Sequence, residues 1–404
     1  MTRHLLRLVW NRRRAHALVG LEILASFLIV FVVAVLALKT FGNAAKPVGF
    51  SSRDVTVVGV GLEREDAEAA GSRDRERMER ALEAVRRLDG VEAAAAAFLV
   101  PYQQGSAVSA HEVDGRRIEF GFTEVTDEYL DALGLKVAAG RWFSREDDDR
   151  PYRAVVVTRE LARMAFGDED PVGRDIPEGG AAEPGAAASR RRRVVGFLEA
   201  YREGSDYSSP EPFAILRTDL SNGEDMVPSR IVVRLRPGTP RAFEETLVRT
   251  LEATVGEWSF TAEPLEVARE SAARRWLVPM FSAAVVAAFL MLLVALGLTG
   301  VLWQNVTRRT REIGLRRATG ATAREVAVQV VMEVWIVTAL AVLAGCAVAL
   351  QTPLFVPGGF VRAADAFAGA AAAAFALFAL TGLCALYPAW LAARVEPSEA
   401  LRYE

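Results

Sequence analysis

Thr307-Arg-Arg-Thr-Arg-Glu-Ile-Gly-Leu-Arg-Arg-Ala-Thr-Gly-Ala-Thr-Ala-Arg-Glu325 lies between two long apolar runs, and its reading decides the rest of the chain. It carries Arg308, Arg309, Arg311, Arg316, Arg317 and Arg324 against Glu312 and Glu325. A short, basic loop beside membrane spans belongs on the cytoplasmic side. Gly320 can stop a helix with a left-handed residue. Thr322 and Glu325 then fit a capping box that starts the next helix. The stretch therefore predicts a short cytoplasmic helix, a tight break and a helix rising into the bilayer. The plain alternative is a loop that only sets topology.

Working outward, Trp276 to Trp303 is almost entirely apolar with a tryptophan near each end, as interfacial anchors require. Val326 to Leu350 is a further apolar run containing Glu333. That carboxylate lies about 10 Å along the rising helix, so it must face protein or water, and structural pairing is the favoured reading over proton coupling. Ala366 to Trp390 is alanine-rich, which suits closely packed membrane helices. Towards the N-terminus, Ala17 to Leu38 is apolar apart from Glu22, and a bilayer core needs about 20 helical residues. No convincing cleavage site follows it, so a retained anchor is expected. Glu22 sits near the cytoplasmic end, where reaching the headgroups is the simple expectation. Residues 1–16 mix Arg3, Arg7, Arg12, Arg13 and Arg14 with Leu5, Leu6, Leu8, Val9 and Trp10, a basic amphipathic surface segment.

The expected architecture is four transmembrane helices with a large α+β extracytoplasmic domain inserted between helices 1 and 2. Its segments are an amphipathic stretch (1–16), helix 1 (17–40), the extracytoplasmic domain (41–274), helix 2 (275–303), the cytoplasmic loop (304–325), helix 3 (326–350), a short external loop (351–365), helix 4 (366–390) and a cytoplasmic tail (391–404). Four spans put both termini on one side, and the basic segments make that side the cytoplasm.

Within 41–274, Val55–Leu62 reads as a strand. Met78, Leu82, Val85 and Leu88 repeat at helical spacing, with Gly90 ending the helix. Val91–Val100 is an ambiguous alanine-rich run. Ile118–Val125 is a strand candidate, after which Thr126 is placed to cap a short helix ending at Gly134. Val155–Val157 reads as a strand, with Thr158 capping a helix that ends at Gly167. Pro177–Ser189 reads as a surface loop. Arg190–Arg193 reads as a solvated basic run leading into the strand Val194–Phe197. Ile231–Arg236 is a strand and Pro240–Val255 a helix. The elements follow no parallel repeat, which is why an α+β domain is expected.

The 404 residues carry a net charge of −3, giving no general reason to expect nucleic acid. Cys346 and Cys384 both fall in apolar runs and read as small packing residues. His4, His16 and His111 are the only histidines; only His111 falls in the extracytoplasmic domain, without the convergent partners that a zinc centre or a Ser-His-Asp hydrolase needs. Glu146–Asp149 reads as a solvated acidic turn. The sequence thus presents a non-catalytic chain with no cofactor or metal of its own.

Three sets of residues resemble the permease subunits of MacB/FtsX-type ABC transporters. Arg308-Arg-Thr-Arg-Glu-Ile-Gly-Leu-Arg-Arg-Ala-Thr-Gly-Ala321 is similar to the family's cytoplasmic motif. Tyr387-Pro-Ala-Trp-Leu-Ala-Ala-Arg-Val-Glu-Pro-Ser-Glu-Ala-Leu-Arg402 is similar to its usual ending. Val125–Leu135, Gly140-Arg-Trp-Phe143, Phe166-Gly-Asp-Glu-Asp-Pro-Val-Gly173 and Val194-Val-Gly-Phe197 resemble the MacB-type periplasmic core. The Pro177–Ser189 loop and the arginine run depart from that pattern.

The resemblance implies an inner-membrane, multi-pass permease. Its coupling residues would be Arg309, Arg311, Glu312, Ile313, Gly314, Arg316, Arg317 and Gly320, with Ile313 and Leu315 seated in an ATPase groove. MacB carries its ATPase on the same chain, whereas no Gly-x-x-x-x-Gly-Lys-Ser/Thr loop occurs here. ATP and magnesium are therefore expected on a partner ABC ATPase subunit. The other expected partners are a second permease chain (a homodimer or a sister subunit), a periplasmic adaptor and membrane lipid. Two other functions stay open: an FtsX-like regulator of an envelope hydrolase, and an ATP-independent sensor or scaffold.

Overall fold

The computed structural model describes residues 13–61, 67–113, 116–148, 150–176, 191–221, 227–355 and 361–394. Most of the 1–16 segment, the Pro177–Ser189 loop, Arg190 and the tail beyond Arg394 lie outside the described residues. The chain divides into two compact units, Gly42–Trp276 and the remainder.

Among the described residues, four helices are long and apolar enough to cross a membrane. They are α1 (Arg13–Ala44), α6 (Leu265–Arg308), α8 (Ala323–Ala349) and α10 (Ala363–Ala393), with the short α9 (Thr352–Phe355) between the last two. On α1, Val19, Ile23, Phe27, Phe31 and Val35 are buried at every fourth position. This ridge packs with Val294 and Leu298 of α6, Val334 and Ala341 of α8, and Ala370 and Ala373 of α10. Glycines let α1 approach closely. A methyl at Gly345 would lie 2.2 Å from Phe27 Cδ1, and one at Gly369 would lie 2.3 Å from Val35 Cγ2. Glu22 is half-buried with its carboxylate oxygen 3.1 Å from the Cβ position of Gly297. It faces α6, not only the headgroups, because glycine leaves room there for a carboxylate.

The Gly42–Trp276 unit contains β1 (Val55–Gly61), α2 (Ala67–Arg86), β2 (Val91–Ala97), β3 (Val108–Val113), β4 (Arg116–Val125), α3 (Tyr129–Leu133) and β5 (Val137–Gly140). A 3-10 turn, Arg145–Asp147, is followed by β6 (Tyr152–Thr158), α4 (Arg159–Phe166), β7 (Asp175–Ile176), β8 (Arg191–Leu198), β9 (Phe213–Arg217), β10 (Arg230–Leu235), α5 (Phe243–Thr254) and β11 (Ser259–Pro264). The strands form one mixed sheet ordered β11-β1-β10-β2-β4-β9-β6-β8-β5, with β3 on β4 and β7 on β8. Alternation along the strands divides two cores. Val58, Val60, Ala94, Ala96, Ile231 and Val233 meet α2 and α5. Val57, Ala95, Ala97 and Val232 meet α3 and the first turns of α6. Leu265, Ala268 and Ala272 enter this second core, so α6 begins ten residues before position 275, where the apolar run placed it.

Local structure departs from the sequence reading in four places. The Thr126 hydroxyl does not cap α3 but accepts from the Ala96 amide at 3.0 Å. The Thr158 hydroxyl does not cap α4; it accepts from the Phe213 amide at 3.0 Å. Both threonines stitch neighbouring strands, which outcompetes capping. Helix α2 ends at Arg86 instead of Gly90, where the backbone passes into tight turns, the Leu88 amide donating to Val85 O at 3.1 Å and the Val91 amide to Leu88 O at 3.0 Å. The acidic turn is not simply solvated. Asp147 is buried, accepts from Arg141 at 2.7 and 2.5 Å and caps Ser144 N at 3.1 Å. Burial pushes its pKa up, but Arg141, the Ser144 amide and the charge of Arg217 hold it below the usual carboxylate range. In the basic run, Arg193 pairs with Asp175 at 2.7 Å and lies over the Tyr152 ring at 4.7 Å.

Candidate functional site

The basic stretch folds as α7 (Thr310–Ala318), separated from α6 by Arg309, which leaves helical geometry (φ −107°, ψ 13°). Its far end is a Schellman motif. The Gly320 amide donates to Arg317 O at 3.2 Å, and the Ala321 amide donates to Arg316 O at 3.0 Å. Gly320 has φ +103°, a conformation that side-chain-bearing residues rarely adopt. One residue on, Thr322 Oγ1 accepts from the Glu325 amide at 3.3 Å and Glu325 Oε2 accepts from the Thr322 amide at 2.9 Å. This capping box starts α8.

Helical periodicity divides the candidate residues into two faces. Arg308, Arg311, Glu312 and Leu315 are exposed at spacings of three and four. Ile313 and Gly314 are buried. Ile313 packs with Val306 of α6, Val326 and Val330 of α8 and Ala392 of α10. Of the two apolar residues assigned to a partner groove, only Leu315, 56% exposed, faces outward. Ile313 instead holds α7 onto the helical bundle.

The arginines divide in the same way. Arg309 donates to Glu333 at 3.2 and 3.1 Å, and both side chains are less than one fifth exposed. Gln329 also donates to Glu333, at 3.2 Å. Arg316 bridges Gln329 at 2.7 Å and Glu312 at 2.8 Å. Arg317 donates to the Ala393 carbonyl at 3.0 Å. Arg309, Glu312, Arg316, Gln329 and Glu333 line a cavity of about 40 Å³ between α6, α7 and α8, room for water but not for a substrate.

The loop and the C-terminal motif form one site. Ala392 and Ala393 touch Ile313 and Arg317, Tyr387 meets Trp303 edge-on at 6.2 Å, and Arg394 lies 3.8 Å over the Trp390 ring. Sequence reasoning quoted both motifs but did not join them. Gln329 also escaped it, although two polar residues one helical turn apart in an apolar helix were a usable signal. Among the described residues, no group of three or more His, Cys, Asp or Glu could hold a metal ion.

Comparison with known proteins bears on this geometry. The family described as MacB-like periplasmic core domain matches residues 26–249, and that described as FtsX-like permease C-terminal matches residues 284–397. The chain is 26% identical over 293 residues to the macrolide export ATP-binding/permease protein MacB of Bdellovibrio bacteriovorus, covering 66% of this chain and 41% of that one. It is 28% identical over 287 residues to the protein of the same name from Chromobacterium violaceum, covering 69% and 42%. To the pyoverdine export ATP-binding/permease protein PvdT of Pseudomonas syringae pv. tomato it is 27% identical over 279 residues, covering 66% and 40%. The chain thus spans about two fifths of the length of these relatives. The crystal structure of the periplasmic region of MacB from Actinobacillus actinomycetemcomitans matches 56% of this chain and 96% of that one, at 13% identity and a TM-score of 0.36. With the periplasmic-core match running over more than half of its length and the permease match over the helices that follow, this chain belongs to the MacB/FtsX-type ABC transporter permease family.

Proposed function

We propose that this chain is the non-catalytic permease subunit of an ABC transporter. In this reading it couples ATP hydrolysis by a separate ATPase subunit, which binds the ATP and magnesium, to motion of its extracytoplasmic domain. The cargo is an amphiphilic substrate or lipoprotein, exported or extracted from the membrane. The N- and C-termini and α7 face the cytoplasm, in keeping with the arginine content of the loop. Two permease chains, identical or sister, sit over two ATP sites, and an adaptor continues outward from the extracytoplasmic domain.

The observation that carries the reading is the division of α7. Its inner face is fastened to α6, α8 and α10 by Ile313, Arg309 and Arg317. Its outer face presents Arg311, Glu312 and Leu315. A helix fixed on one side and open on the other is suited to receive a partner's push and pass it into three spans. Leu315 supplies apolar contact, and Arg311 supplies bidentate pairing to carboxylates.

The test is affinity purification of the detergent-solubilised chain from its native membrane, with Arg311→Glu/Leu315→Glu alongside. Loss of a co-purifying ATPase from the variant, with the fold intact, is the expected result. An equal yield of ATPase with both chains would overturn the outer-face assignment. Absence of any ATPase in several mild detergents would overturn the permease reading itself.

A further inference from the structure

Where the sheet of the Gly42–Trp276 unit meets the first turns of α6, an open groove of about 430 Å³ remains, within the size range of small-molecule sites. Its floor is β1, open at Gly59, whereas the Ser259 side chain covers Gly61. Gly59 pairs with Thr261 of β11 on one side and with Arg230 of β10 on the other. The atom nearest to a methyl built on Gly59 is the Thr261 carbonyl at 3.7 Å, so a side chain there would project into the groove. The flanking side chains stand two strand spacings apart, roughly 9–10 Å.

Charge is distributed unevenly across this floor. Arg230, Arg275 and Glu263 of the edge strand β11 line the groove; Thr261 stands opposite Arg230 across Gly59, and Glu263 pairs with Val57, two residues along β1. Thr261, Ser271 and Gln103 also line it. Arg230 is oriented by donating to Gln103 Oε1 at 2.7 Å and to Ser229 O at 2.8 Å. Arg275 is oriented by donating to the Tyr102 carbonyl at 2.8 Å.

Tyr102 itself has φ +68°, uncommon for a bulky residue. It is held there by its amide on Glu203 O at 2.6 Å and its hydroxyl on Asp206 at 2.5 Å. Strain retained in this way accumulates at ligand clamps. Here it fixes the carbonyl that aims Arg275.

The groove's place along the chain indicates the ligand. Arg275 immediately precedes Trp276, the first residue of the apolar run. From Ala268 to Arg275 the helix rises about 10 Å, comparable with the headgroup layer, about 5–8 Å on each side of the bilayer core. The N–H groups that Arg230 and Arg275 have left over can donate to phosphate oxygens, and a carboxylate on the same floor complements an ammonium.

We propose that this groove binds the phosphate-and-ammonium headgroup of a membrane phospholipid, with the phosphate at Arg230 and Arg275 and the ammonium at Glu263. The inference uses the membrane topology but is independent of ATPase coupling, and its test contains no ATPase.

The full chain in detergent is titrated with short-chain phosphatidylethanolamine, phosphatidylglycerol and soluble glycerophosphoethanolamine, and bound molecules are counted by native mass spectrometry. Phosphatidylethanolamine should bind at least 10-fold more tightly than either of the others. Arg230→Ala and Arg275→Ala should each weaken it about 10-fold. Glu263→Gln should abolish the preference over phosphatidylglycerol. Gly59→Leu, which fills the floor without removing a charge, should block binding and guards against misfolding of the arginine variants. Equal binding by Gly59→Leu and the native chain would overturn the site. Equal binding of the two lipids to the native chain would overturn the ammonium assignment. Soluble headgroup binding as tightly as the lipid would keep the chemistry but overturn the membrane source.

Discussion

Glu333→Ala should be among the most informative single changes in the helical bundle. Glu333 accepts from Arg309 at 3.2 and 3.1 Å and from Gln329 at 3.2 Å. The side chains of the pair are 17% and 19% exposed. Fully exposed pairs contribute about 0–1 kcal/mol, and breaking a fully buried pair costs about 3–5 kcal/mol. This pair stands between those limits, and hydrogen bonds to charged groups are worth about 1.5–3 kcal/mol. We therefore expect Glu333→Ala to destabilise the chain by about 2–3 kcal/mol, because the half-buried Arg309 loses its carboxylate acceptor. Arg309→Ala should cost a similar amount. The double variant should cost little more than either, a coupling of about 2 kcal/mol. Reversible unfolding in mixed detergent micelles across the four-member cycle measures this directly. Strict additivity within about 0.5 kcal/mol would refute the claim that the pair fastens α7 to α8.

Three further outcomes follow from the packing and the charges. Ile313→Ala removes a buried contact with Val306, Val326 and Ala392 and should cost about 2 kcal/mol, whereas Leu315→Glu, on the exposed face, should change stability by less than about 0.5 kcal/mol; the same unfolding titration separates them. Gly345→Ala places a methyl 2.2 Å from Phe27 Cδ1 and should destabilise the bundle by about 1–3 kcal/mol, with part of the loss recovered by Phe27→Leu in the same background. Burial, reinforced by the charge of Glu211, raises the Glu203 carboxyl from 4.5 to about 7. The folded chain then holds a proton that the unfolded chain has released, so stability falls as pH rises from about 4.5 to 7 and the penalty, up to about 3 kcal/mol, is complete above that window. Melting curves should show Glu203→Gln more stable than the native chain at pH 8 and equal to it at pH 4.

The legible parts of the fold were those where one local signal acted alone. The spans could be read because about 20 apolar residues have no other economical solution. The reversal at Gly320 could be read because a left-handed residue followed by Thr322 and Glu325 leaves few alternatives. The Val91–Ala97 run stayed ambiguous because alanine favours helix. It becomes a strand because small side chains let cores close on both faces of β2. Thr126 and Thr158 misled because a hydroxyl beside a helix start is also a hydroxyl beside a strand. Strand β9 was missed because all five of its residues are buried, so no alternation marks it.

The candidate site divides along the same line. Sequence alone determined that a basic, helix-forming loop joins two spans, because charge and hydropathy act residue by residue and need no partner to be read. The tertiary structure decided which of its residues face inward. Ile313 is buried and Leu315 exposed although they lie two positions apart, because 3.6 residues per turn puts them on opposite sides of α7 and only one side meets α6, α8 and α10. It also decided that Arg309 belongs to Glu333 and that the C-terminal motif closes over the loop through Ala392 and Ala393. Those pairings join residues 24 to 79 positions apart, and only the packing of helices brings them within hydrogen-bonding or van der Waals distance.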